Sequence, residues 1–122
     1  MTSLMDEIVS GGKGADKNPQ FPHAPAGWTP QAALELAAKE GLALGDAHWD
    51  VLRALQAYYA RHAAEVVNLR ALHDALGEKF HHSGGLRQLY LLFPGGPVAQ
   101  GCRVAGLKAP AGATDKGFGS VA

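Results

Sequence analysis

The strongest apolar rhythm in the chain runs from 48 to 62. There His48, Val51, Leu52, Leu55, Tyr58, Tyr59 and His62 recur at three- and four-residue steps and share one face of a helix. Asp46 stands where an N-cap is needed, so this stretch predicts the main core helix. Truncating Leu55 at its centre is then expected to destabilise by ~2–5 kcal/mol. Ahead of it, Thr29-Pro30-Gln31 supplies an N-cap with proline at the first helical position, followed by Ala33, Leu34, Ala37 and Ala38 and a stop at Gly41. After it, Asn68 caps a third helix with Leu69, Leu72, His73 and Leu76 inward, ending near Gly77. Ser83 or Gly84 opens a fourth, striped by Leu86, Leu89, Tyr90 and Phe93. Pro94-Gly95-Gly96-Pro97 forces a turn, and Pro97 starts a fifth helix in which Val98 and Cys102 are i and i+4 neighbours; Gly106 stops it.

The remaining stretches lack this rhythm. Residues 1–19 include Ser10-Gly11-Gly12-Lys13-Gly14-Ala15-Asp16, too poor in apolar groups to pack, and read as a flexible leader. Pro22 and Pro25 disfavour helix and central strand alike across 20–28, leaving a short N-terminal β-hairpin or an extended arm. Residues 107–122 are rich in glycine and read as a mobile C-terminal arm. The expected fold is mainly α: a small orthogonal bundle of about five helices over 20–106.

Composition narrows the function. With 122 residues the chain supports one domain. Eleven basic and eleven acidic residues balance, so no net charge draws it to nucleic acid or anionic lipid. Locally, no Asp or Glu occurs from Lys79 to Thr114, while Lys79, Arg87, Arg103 and Lys108 make this end cationic and suited to an acidic partner or an anionic sulfur species. The N-terminus has neither a basic region nor a long apolar run, and no segment approaches the ~20 apolar residues that span a bilayer. A cytoplasmic protein is expected.

One cysteine excludes an intrachain disulfide and fits a reducing compartment. Cys102 falls in the second half of a short helix, where the C-terminal carbonyls disfavour a thiolate and Arg103 and Lys108 favour one. Each effect is of order 1 kcal/mol or less, so spacing alone does not separate a reactive thiol from a packed one. The His81-His82 pair, with Glu78 before it, has the wrong spacing for a metal site, and His48, His62 and His73 lie on apolar faces; no metal or cofactor is expected. A helix-turn-helix over the third and fourth helices would read DNA with Arg87 alone, which argues against specific DNA binding.

The run from Leu89 to Pro110, containing Phe93-Pro94-Gly95-Gly96-Pro97-Val98-Ala99-Gln100-Gly101-Cys102-Arg103-Val104-Ala105-Gly106-Leu107-Lys108, closely resembles the C-terminal signature of the DsrC/TusE family. Phe21 to Trp28, Gly41-Leu42-Ala43-Leu44, His48-Trp49 and Asn68-Leu69-Arg70 are similar to further segments of that family. The resemblance implies a helical bundle with an N-terminal hairpin and a mobile arm, acting as a sulfur carrier and so as a protein co-substrate rather than a stand-alone enzyme. In such proteins a cysteine near the arm's end takes sulfur as a persulfide and passes it on. The TusE branch serves tRNA 2-thiouridine synthesis, and the DsrC branch serves sulfite reduction or sulfur oxidation. DsrC members carry a second cysteine upstream that can join the first through a disulfide or trisulfide.

In this chain Cys102 matches the upstream cysteine, while the arm-end position, eleven residues on, is Ala113, and nine more residues follow. Three readings stay open. Ala113 replaces a natural cysteine by engineering; or Cys102 itself carries sulfur in a divergent member; or the chain is a paralogue that keeps the fold for docking or regulation. The resemblance makes Cys102 the candidate persulfide or disulfide site. Arg87, Arg103 and Lys108 become candidate partner-binding residues, the partners being sulfur-transfer proteins or a sulfite-reductase-like complex.

Overall fold

In a computed structural model, which describes residues 19–63 and 66–113, the first helix begins where the sequence capped it. The Thr29 hydroxyl accepts from the Ala32 N–H at 3.0 Å, and α1 runs Pro30–Lys39. The central helix α2 spans Asp46–Arg61, starting one residue earlier than expected: Gly45 is the N-cap and Asp46 the first helical residue. His48 performs the capping. Its Nδ1 accepts from the Gly45 N–H at 3.0 Å while its Nε2 meets the Leu92 carbonyl at 2.9 Å. Those partners require the neutral ring protonated at Nε2.

Asn68 caps α3, Leu69–Lys79, by accepting from the Ala71 N–H at 2.9 Å. The helix passes through Gly77 rather than stopping there. Gly77 is helical, and a side chain at that position would crowd Leu86 at 3.3 Å, so its smallness serves packing against α4. A single 3₁₀ turn, His81–Ser83, leads to Gly84 at φ 107°, which reverses the chain into α4, Gly85–Leu92. The Pro94–Pro97 turn delays the last helix, so α5 is Ala99–Ala105. Pro97 lies two residues before its first turn, and Gly106, at φ 80°, ends it.

Among the described residues the architecture is five α-helices and one 3₁₀ turn, without a β-strand. The N-terminal hairpin is therefore corrected. Residues 21–28 form two consecutive tight turns, with Ala24 N–H donating to the Phe21 carbonyl and Trp28 N–H to the Pro25 carbonyl, each at 3.1 Å. Proline spacing explains this: Pro22 and Pro25 remove ladder donors and fix turn dihedrals. What anchors the segment is aromatic. Phe21 packs edge-on against Trp28 and Trp49, at 5.0 and 5.6 Å between ring centroids, and the Trp28 indole donates to the Val104 carbonyl at 2.8 Å.

Val51, Leu52 and Leu55 of α2 have no exposed surface, and with Leu72, Leu89, Phe93, Cys102 and Val104 they form the core. α2 packs most extensively against α5, and α3 against α4. No described helix is long and apolar enough to cross a membrane. The leader expected over 1–19, apart from Pro19, and the arm beyond Ala113 lie outside the described residues. The described part of the arm is packed down: Leu107, Ala109 and Ala113 touch the core, and Pro110 is buried.

Candidate functional site

Cys102 lies at the middle of α5, where its backbone N–H donates to the Val98 carbonyl at 2.9 Å, and its side chain is fully buried in the core. The close approach of α5 to α2 depends on the neighbouring Gly101. A methyl group there would stand 2.8 Å from Leu55 Cδ1. This proximity brings the thiol within reach of α2, and Sγ donates to the Tyr59 hydroxyl at 3.7 Å. Tyr59 in turn donates to the Lys108 carbonyl at 2.7 Å. One hydroxyl thus connects the thiol, the central helix and the start of the arm.

Burial pushes the Cys102 thiol up to about 11, and the hydrogen bond with Tyr59 opposes this only in part. The Tyr59 hydroxyl is raised as well, first by burial and then by the neighbouring sulfur. Desolvation therefore settles the balance that helix dipole and nearby cations left open in the sequence. In this conformation Cys102 is a protonated, packed thiol.

The sequence-assigned cations separate. Arg103 forks onto Glu40, Nε to Oε2 at 2.8 Å and an Nη to Oε1 at 2.9 Å, so its charge faces the fold. Gln100 reinforces the pair, donating to Glu40 at 2.9 Å while its carbonyl oxygen accepts from the Gly95 N–H at 2.9 Å. Lys108 and Arg87 are exposed, on the arm and on α4. Ala113 borders a groove of about 430 Å³ with Leu69, His73, Tyr90 and Val98, and Cys102 is not part of that lining. The histidines serve packing: His73 meets the Tyr90 hydroxyl at 3.0 Å, and His62 stacks on Tyr58 with centroids 4.3 Å apart. No group of three His, Cys, Asp or Glu among the described residues is placed to hold a metal ion.

The sequence that folds this way matches a known family over most of its length: the family described as DsrC like protein matches residues 11–113. The chain belongs to the DsrC family. Among curated relatives, the sulfurtransferase TusE of Sodalis glossinidius (strain morsitans) is 36% identical over 86 residues, covering 68% of this chain and 77% of that protein. The sulfurtransferase TusE of Yersinia pestis is 37% identical over 84 residues, covering 68% and 76%. The NMR structure of Allochromatium vinosum DsrC shares the fold with a TM-score of 0.58 at 38% identity, over 70% of this chain and 76% of that one.

Two features of this DsrC-family site were not legible from spacing. Tyr59 read only as a core-face aromatic, and the Glu40–Gln100–Arg103 cluster joins residues as much as 63 positions apart. Their positions, one on the predicted core helix and the other beside a predicted helix stop, carried no signal of partnership.

The Glu40 cluster makes a pH prediction. Arg103 holds the Glu40 carboxyl below its usual 4.5, against the smaller opposing effect of burial. A carboxyl lowered in the folded state adds stability above its unfolded value and loses it as pH falls through the folded one. The Glu40 side chain is 12% exposed and that of Arg103 38%, so solvent screens the pair to about 1 kcal/mol. Urea midpoints at pH 7 and about pH 3 are expected to show Glu40→Gln weaker than the parent at neutral pH and by a smaller margin in acid. An equal deficit at both values would remove the ion pair from the account.

Proposed function

We propose that the chain carries sulfur between partner proteins, with Cys102 as its thiol and with a relay capacity lowered by alanine at position 113. The observation that supports this reading is the position of Cys102 beneath Tyr59, whose hydroxyl is tied to the arm at Lys108. In the transfer step the Cys102 thiolate attacks the terminal sulfur of a partner's cysteine persulfide. The partner's S–S bond breaks, its cysteine leaves as a thiolate, and a persulfide forms on Cys102, with no outside oxidant needed. The thiol must leave its apolar packing for this, and the Tyr59–Lys108 bond is the contact that breaks as the arm lifts. Partners are sulfur-transfer proteins, as the names of the TusE relatives suggest.

Full burial of Cys102 favours one alternative: a docking or regulatory member that binds sulfur-pathway proteins without a covalent step. Intact mass decides between them. Reduced protein incubated with a low-molecular-weight persulfide donor is expected to gain one sulfur, about 32 Da, and Cys102→Ser to gain none. A parent protein that stays unmodified under native conditions would leave the docking role.

A further inference from the structure

Between the turns at Phe21–His23, the middle of α2 and the end of α3 lies a cleft of about 570 Å³ that neither Cys102 nor the arm borders. Three cations line it, each beside an aromatic ring. The Arg53 guanidinium stands 4.9 Å from the Phe21 centroid, that of Arg61 5.8 Å from Tyr58, and Lys79 Nζ 6.0 Å from Phe80. Arg53 pairs with Asp50 at 3.2 Å, but no carboxylate among the described residues pairs with Arg61 or Lys79. Among the described residues the cleft therefore sets three cations, Arg53, Arg61 and Lys79, against the one carboxylate of Asp50.

Its geometry restricts the ligand. Arg53 and Arg61 are eight residues apart on α2, hence ~12 Å along the helix, farther than one phosphate or carboxylate reaches. The floor between them is apolar, with Ala57 and Phe80 half-buried beside the buried Phe21 and Ala54. Spaced cations over an apolar floor suit an acidic chain that also carries apolar side chains, rather than an inorganic anion with none.

We propose that this cleft docks an extended acidic segment of a partner protein. Its carboxylates pair with Arg61 and Lys79, and its apolar side chains rest on Phe80 and Ala57. Docking here is separate from sulfur transfer, because Cys102 faces the other contacts of α2.

The probe is a short acetylated, fluorescein-tagged peptide of alternating glutamate and leucine, titrated with the full chain by anisotropy. Binding is expected, weakened about tenfold in Arg61→Ala/Lys79→Ala and further by added salt. Lys39→Ala, which removes an exposed cation on α1 outside the cleft, is expected to bind as the parent does. Absence of binding, or equal binding by the double variant or by a lysine–leucine peptide, would overturn the proposal. Displacement by tripolyphosphate at matched charge would assign the cleft to a simple anion instead. Binding that appears only after Asp6→Ala/Glu7→Ala would give it to the chain's own acidic pair, and would equally end the proposal.

Discussion

At neutral pH the native protein is expected to react with an aromatic disulfide reagent at Cys102 at least ~100-fold more slowly than a free cysteine thiol does. The thiolate is the reacting species, and raising the thiol from 9.0 to about 11 lowers the thiolate fraction about 100-fold before any steric effect is counted. Full burial adds to this, since the reagent reaches sulfur only after the structure opens. The rate should therefore follow the opening equilibrium and rise with sub-denaturing urea. Tyr59→Phe tests the route of opening. Losing the Tyr59–Lys108 hydrogen bond removes ~1 kcal/mol from the packed arm and should raise the rate about fivefold. A native thiol reacting at the free-cysteine rate would mean that Cys102 is not held in the core.

A slow thiol fits the proposed carrier, in which a partner that moves the arm speeds the reaction, and it separates this chain from one with an arm-end cysteine. Ala113 occupies the groove beside Leu69, His73 and Tyr90, a position with no sulfur to present. All covalent capacity then falls on a residue whose environment protects it. In the proposed relay, sulfur transfer is coupled to displacement of Tyr59 and Lys108, and partner binding would supply the free energy for that displacement.

The helices were legible because each carries a periodic apolar face with a chemical boundary: Thr29 and Asn68 cap as expected, and Gly106 terminates α5 in the left-handed conformation only glycine readily adopts. Boundaries slipped where a side chain outside the usual set did the work, as His48 does in capping α2 in place of Asp46. The candidate site was half legible. A motif located Cys102, but its state depends on burial by Leu55 and Tyr59, and contacts across 43 or more residues leave no mark in local spacing. Arg103 shows the same limit: its neighbourhood is uniformly basic in sequence, yet Glu40, from the other end of the chain, faces it.

The α2–α5 contact gives the largest stability effect and also a change of sign. Leu55 has no exposed surface, so Leu55→Ala is expected to destabilise by ~2–5 kcal/mol, the transfer loss plus the residual cavity. Gly101→Ala works through two opposing effects. Alanine in place of glycine inside a helix gains ~1 kcal/mol, but its methyl would stand 2.8 Å from Leu55 Cδ1, and such overpacking costs ~1–3 kcal/mol. In the parent the clash wins and the variant is weaker. In the Leu55→Ala background the opposing methyl is gone, the new Cβ fills part of the cavity, and Gly101→Ala becomes stabilising by ~1 kcal/mol. Urea unfolding of the four proteins measures the coupling. The same series links packing to chemistry, because Leu55→Ala should also speed thiol modification of Cys102 as opening becomes easier. If the two substitutions simply add, α5 does not rest on α2 through Gly101, and the account of why Cys102 is shielded fails with it.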